Sequence, residues 1–176
     1  MRSLLLKPGQ RAPLKRSAQG IYVLHPGDIA CADEGERLQT LLGSCVSICL
    51  SSPKHLVGGM CHIMFSGIPP LAQKANTSYA EPAMRKLFAD MRVKGVNPMA
   101  CEAFVYGGGS MFSGDENASI NAKVGERNVA WALDFLSHNG IRLRGKSVGG
   151  THYRKVDWQI GAEAPDVKVV PLDRGL

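Results

Sequence analysis

Residues 45–65, CVSICLSSPKHLVGGMCHIMF, constrain the fold more than any other stretch. They hold two apolar runs, each too short for a stable helix, on either side of Ser51, Ser52, Pro53, Lys54 and His55. Runs of that length bounded by turn residues read as strands, and two so close in sequence read as a hairpin. With residues 52–55 as the loop, Ser51 faces Leu56, Leu50 faces Val57, Ile48 faces Gly59 and Cys45 faces His62. Directly opposed residues on one face have Cβ atoms about 4.5–5.5 Å apart, which brings a thiol to an imidazole. A slip of one residue sends the two to opposite faces, so the register is itself a test.

The rest of the chain supplies more strands than helices. Strands are predicted at 21–24, near 28–32, and over CEAFVY, IRLRGKSV, THYRKVDWQI and VKVVPL. One helix is predicted in TSYAEPAMRKLFADMRVKG, where Ser78 and Glu81 have the spacing of a capping box. Its apolar stripe is Ala80, Met84, Leu87, Phe88 and Met91, and Gly95 stops it. A second helix is predicted over about 126–139, with Val129, Leu133 and Leu136 on one face, after a long glycine-rich loop that begins at Gly107. Strands in clusters with two helices between them predict an α+β, layered arrangement of mixed β-sheets rather than regular βαβ repeats.

The formal charge of +6 invites a nucleic-acid reading, but its distribution argues against one. Residues 1–20 carry five basic residues and no acid, leaving 16 basic against 15 acidic in the remainder. The expected organisation is a flexible basic arm over 1–18 and a single domain over 19–176. No apolar run approaches the ~20 residues that span a bilayer, and MRSLLLKPGQ is too short in leucines for a secretory signal, so a cytoplasmic protein is expected. Five cysteines, an odd number with no C-x-x-C pair, predict neither a disulfide framework nor a metal site.

The chemistry lies in the hairpin. A thiolate is the nucleophilic form of cysteine, and a neighbouring imidazole can hold its proton and return it to a leaving group. Such an imidazole needs an orienting partner on its other nitrogen. Thr40, five residues before Cys45, carries a suitable hydroxyl. Gly43 and Ser44 form a permissive turn that can aim backbone N–H groups at an oxyanion. Against this stands a simpler reading, in which Cys45 is core like Cys31, Cys49, Cys61 and Cys101, and His62 is structural like His25, His55, His138 and His152. The segment GGGSMF lacks the Gly-Lys-Ser/Thr of a phosphate loop and the third glycine of a dinucleotide fingerprint. It reads either as a tight strand exit or as a cleft wall in which Gly108, Gly109 and Ser110 meet substrate.

TLLGSCVSICL followed by GGMCHIMF resembles the chemoreceptor glutamine deamidase family, CheD. YGGGSMF, VGERNV and VGGTHYRKV are similar to further segments of that family, in the same order, so that the resemblance runs from about residue 20 to 170. It implies a layered fold like that of deamidating bacterial toxins, and a Cys–His–Thr triad that converts selected receptor glutamines to glutamate and ammonia without a cofactor. Cys45 and His62 match the first two members of the triad. In some members the threonine lies six residues before the cysteine, a position held here by Gln39, so Thr40 is the expected third member with one residue fewer between. The expected partners are methyl-accepting chemotaxis receptors and a CheC-type phosphatase. A non-catalytic role in regulating that phosphatase is the alternative.

Overall fold

The computed structural model describes residues 14–111 and 116–171, and the second helix's side chains from Lys123 onward. Its strands are β1 (Ile21–Leu24), β2 (Ile29–Asp33), β3 (Arg37–Leu42), β4 (Val46–Ser51), β5 (Val57–Cys61), β6 (Glu102–Gly107), β7 (Arg142–Val148), β8 (His152–Gln159) and β9 (Asp166–Pro171). Its helices are α1 (Ala80–Val93) and α2 (Glu116–His138). One sheet has the order β1-β3-β8-β9, the other β2-β5-β4-β6-β7, and both mix parallel and antiparallel pairs.

Alternation along β4 shows how the layers form. Val46, Ile48 and Leu50 face α1 and α2, in a core shared with Ala83, Met84, Leu87, Met91, Ala132 and Leu136. Cys49, on the other face of β4, joins a second core between the sheets with Leu38, Leu42, Met60, Phe104, Tyr106, Val156 and Trp158. The five-stranded sheet is therefore covered on both faces, which explains why β4 is buried at every position. The chain is an α+β sandwich of helices, sheet and sheet, as its pattern of elements predicts. Gly58 and Gly59 let both neighbours approach β5. A Cβ at Gly58 would lie 2.3 Å from Ile160 Cδ1, and one at Gly59 would lie 2.7 Å from Leu87 Cδ1.

Five features differ from the sequence reading, the first being β3, which forms over a segment to which that reading assigns no strand. The hairpin loop is displaced by one residue: Ser52 N–H donates to Val57 O (2.9 Å), and the ladder pairs Ser51 with Gly58 and Leu50 with Gly59. Pro53 takes an early turn position suited to its fixed φ. His55 closes the turn at φ +58°, its Nδ1 2.9 Å from Ser51 Oγ. The capping box is not formed, because Tyr79 is held extended as the N-cap by its bridge to Phe65, with no side-chain cap bond, and Glu81 pairs with Arg85 instead. Helix α2 starts at Glu116, about ten residues before the predicted position. The sequence reading places Gly125 in the glycine-rich loop, whereas it lies inside α2, where a Cβ would come within 2.6 Å of Gly108 O. Residues 14–18, assigned to the free arm, instead engage the domain: Leu14 packs against the inter-sheet core and Arg16 is ion-paired with Glu36. Residues 1–13 lie outside the described residues.

Among the described residues no helix is long and apolar enough to cross a membrane, and no cluster of His, Cys, Asp or Glu could hold a metal ion.

Candidate active site

The chain leaves the four-stranded sheet at Leu42, crosses to the five-stranded sheet through residues 43–45, and enters β4 at Val46. Cys45 is thus at the crossover, partly exposed, while Cys49, Cys61 and Cys101 are buried. His62 follows β5 directly, and its backbone is fixed to residues 27–28: Gly27 N–H donates to His62 O (2.7 Å) and His62 N–H to Asp28 O (3.0 Å). Val46 and Ile63 exchange both backbone hydrogen bonds (3.0 and 2.8 Å). Cys45 precedes one member of that pair and His62 the other, so the two are diagonal neighbours rather than directly opposed. The displaced loop changes the register by two positions, which preserves the shared face. Diagonal positions are about 7–8 Å apart, within reach of a ring side chain.

Thr40 belongs to the opposite sheet. Leu38, Thr40 and Leu42 are the inward residues of β3, and Thr40 points its hydroxyl between the sheets. Thr40 Oγ1 lies 2.9 Å from His62 Nδ1 and 2.9 Å from Leu24 O. A hydroxyl has one proton, and the Leu24 carbonyl can only accept. Thr40 therefore donates to Leu24 and accepts from His62, which places the proton of the neutral imidazole on Nδ1. Nε2 is left with its lone pair, the form required of a general base. The six-residue spacing that would have selected Gln39 fails for a plain reason. Gln39 alternates to the other face of β3, where its Nε2 donates to Asp157 Oδ2 (3.0 Å).

Burial alone raises the Cys45 thiol from 9.0 to about 11. Burial favours the neutral thiol, so a nucleophilic role for Cys45 would require a base to take its proton. The glycine-rich loop supports this crossover from behind. Gly108 N–H donates to Cys45 O and Gly109 N–H to Gly43 O, each at 2.8 Å. Gly107 has φ +105°, and a Cβ there would stand 2.1 Å from Cys45 O. The next turn holds the loop in place, through Gly149 N–H to Gly107 O (2.9 Å) and Ser110 N–H to Gly150 O (2.7 Å). Gly108 and Gly109 are buried with their N–H groups already engaged, so they brace the loop that carries Cys45, and only Ser110 and Met111 of the described loop reach the surface. Gly43 and Ser44 are partly exposed beside Cys45, with Met111 and Tyr153 packed where a Gly43 side chain would be.

Three neighbours escape the sequence reading. Met111 and Tyr153 offer no spacing signal. Asn128 does: it lies on the line of Gly125, Ala132 and Leu136 along α2, a polar residue in a buried stripe.

Known proteins match the chain over most of its length. A family model described as CheD chemotactic sensory transduction matches residues 69–168. A protein of Pseudomonas fluorescens (strain SBW25) named probable chemoreceptor glutamine deamidase CheD is 33% identical over 134 residues, 76% of this chain and 76% of that protein. Proteins of the same name from Pseudomonas syringae pv. tomato and Rhizobium etli (strain CIAT 652) are 30% and 32% identical, covering 86% and 84% of this chain and 90% and 79% of theirs. The crystal structure of the Bacillus licheniformis hypothetical protein YfiH matches 77% of this chain and 62% of its own at 15% identity, with a TM-score of 0.40, too loose a likeness to bear on the site. With a family model over more than half of its length and relatives at 30% identity or better over most of it, the chain belongs to the CheD family.

Proposed function

We propose that this protein is a protein-glutamine deamidase that converts glutamines of methyl-accepting chemotaxis receptors to glutamate with release of ammonia. The observation that carries the chemistry is the hydrogen-bond chain from Leu24 O through Thr40 Oγ1 to His62 Nδ1, which leaves Nε2 as a base on the face it shares with Cys45. The curated relatives, named as probable chemoreceptor glutamine deamidases, supply the substrate class.

The reaction runs in two halves. Nε2 of His62 takes the Cys45 proton as sulfur attacks the side-chain amide carbon of glutamine, forming a C–S bond and an oxyanion. Backbone N–H groups at the crossover, from Gly43 to Cys45, stabilise that oxyanion. The intermediate collapses with cleavage of the C–N bond, and Nε2–H gives its proton to the departing amine, which leaves as ammonia. A water then loses a proton to Nε2 and attacks the thioester. The C–S bond breaks, and the sulfur recovers its proton from His62. Glutamine and water become glutamate and ammonia, with Cys45, His62 and Thr40 unchanged and no cofactor consumed.

The receptor segment acted on is cytoplasmic, and the protein works there. A CheC-type phosphatase that covered the same cleft would compete with receptor, and deamidation measured with and without such a partner separates that regulatory role from catalysis. The test of the main reading is mass spectrometry of a co-expressed receptor: specific glutamines gain about one mass unit, and the gain is lost in Cys45→Ala and His62→Ala because the thiol and its base are both required. Full deamidation by a folded Cys45→Ala protein would refute it.

A further inference from the structure

Asn128 is an expensive residue to keep. It sits in the interior of α2, where asparagine is a weak helix former, and is only 2% exposed. Its Oδ1 is buried with no hydrogen-bond partner among the described residues. A buried acceptor left unpaired costs stability, so fold stability alone does not account for the side chain.

Its amide nitrogen touches two points of the site. Nδ2 donates to Met64 O at 2.9 Å and to Ser44 O at 3.2 Å. The amide cannot be turned round, since Oδ1 would then face two carbonyl oxygens. Met64 lies two residues after His62, and Ser44 immediately before Cys45. One side chain thus ties the strand of the base to the crossover of the nucleophile. Gly125, one helical turn earlier on the same face, brings α2 close enough by packing against Gly108 O.

Peptide geometry gives the contact at Ser44 a further consequence. In a trans peptide the C=O and the N–H of the next residue point in opposite directions. Ser44 O is drawn inward to Asn128, so the N–H of Cys45 points the other way. Among the described residues neither that N–H nor the N–H of Ser44 meets an acceptor. A free N–H on the nucleophile's own residue, held in a fixed direction, is what an oxyanion donor requires.

We propose that Asn128 is a positioning residue for deamidation, which fixes the peptide joining Ser44 to Cys45 so that the Cys45 N–H meets the oxyanion. This rests on the deamidase reading above. The test compares two rates on the same preparations of the full chain: deamidation of a receptor cytoplasmic fragment, and alkylation of Cys45 by iodoacetamide. Alkylation displaces iodide at a saturated carbon and forms no oxyanion. In Asn128→Leu, kcat for deamidation should fall about 100- to 1,000-fold, the range for loss of one oxyanion donor. KM should change less than threefold and the alkylation rate less than twofold. Asn128→Leu removes the orphaned Oδ1 and keeps the branching of the side chain, Asn128→Ser provides a second variant with a smaller side chain, and thermal unfolding checks that each is folded. Deamidation within threefold of the native rate in a folded variant overturns the assignment. So does a parallel fall in both rates, which would make Asn128 a scaffold residue only. A native chain inert on receptor would strike instead at the deamidase reading, and this proposal would go with it.

Discussion

Replacement of Thr40 by valine keeps the shape of the side chain and removes one oxygen. That oxygen makes two buried hydrogen bonds, to His62 Nδ1 and Leu24 O. Without it the Nδ1–H of His62 has lost its 2.9 Å acceptor in a site that is 3% exposed. An orphaned buried donor costs about 1–3 kcal/mol, and the ring can avoid that cost only by turning or by moving its proton to Nε2. Either escape removes the base. The expected loss in kcat is therefore about 5- to 150-fold, at a tenfold change per 1.4 kcal/mol. Leu24 O also loses its side-chain donor, so stability should fall by about 1–3 kcal/mol, or roughly 2–10 °C in Tm for a domain of this size. Thr40→Ser keeps the oxygen, and its activity should stay close to native even though a methyl group is lost. The assay is timed mass spectrometry of a receptor fragment with each protein, beside thermal unfolding of each. If valine and serine variants deamidate at equal rates, Thr40 has no orienting role and the proton assignment on His62 is wrong.

Two other outcomes follow from the geometry. Burial raises the Cys45 thiol to about 11 from 9.0, so at pH 8 the thiolate should be about 100-fold scarcer than in an unperturbed cysteine. Cys45 alkylation, followed by mass spectrometry, should then rise about tenfold per pH unit up to pH 10; a plateau from near neutrality would instead reveal a resting thiolate–imidazolium pair. Gly107→Ala forces a side chain into a φ of +105° and against Cys45 O, so it should cost about 2–5 kcal/mol in urea unfolding. Gly35→Ala, at φ +86° with nothing within 4 Å, should cost only about 1–2 kcal/mol; equal losses would mean that contact with the nucleophile loop is unimportant.

The sequence is most legible where the period of a strand does the work. The alternation in β4 and β5 is plain, and the shared face of Cys45 and His62 survives because the turn error is two positions, an even number. Thr40 is favoured over Gln39 by its hydroxyl, against the six-residue spacing, and the pleat of β3 supplies the physical reason. Contacts between distant elements are not legible. Nothing in the order of residues tells that Gly125 packs on Gly108, and so the sequence alone places the start of α2 after a glycine that the helix contains. Asn128 is visible as a polar break in a buried stripe, but its two carbonyl partners come from segments 64 and 84 residues away. Ser78 and Glu81 have the right spacing for a cap, yet the bridge between Phe65 and Tyr79 overrides it. Local pattern yields to tertiary pairing at that helix end.

The crossover at residues 43–45 separates Thr40 from Cys45 by sheet as well as by sequence. The orienting hydroxyl comes from one sheet and the sulfur and ring from the other, so neither sheet alone contains the machinery. A nascent or half-denatured chain, with one sheet formed and the other not, would have an ordinary cysteine and an unaligned histidine. Deamidation cannot be undone by the enzyme that performs it, and a stray thiol acting on exposed glutamines of other proteins would leave permanent marks. Splitting the proposed triad across the sandwich would make competence a property of the finished fold, switched on by the same closure of the two sheets that completes it.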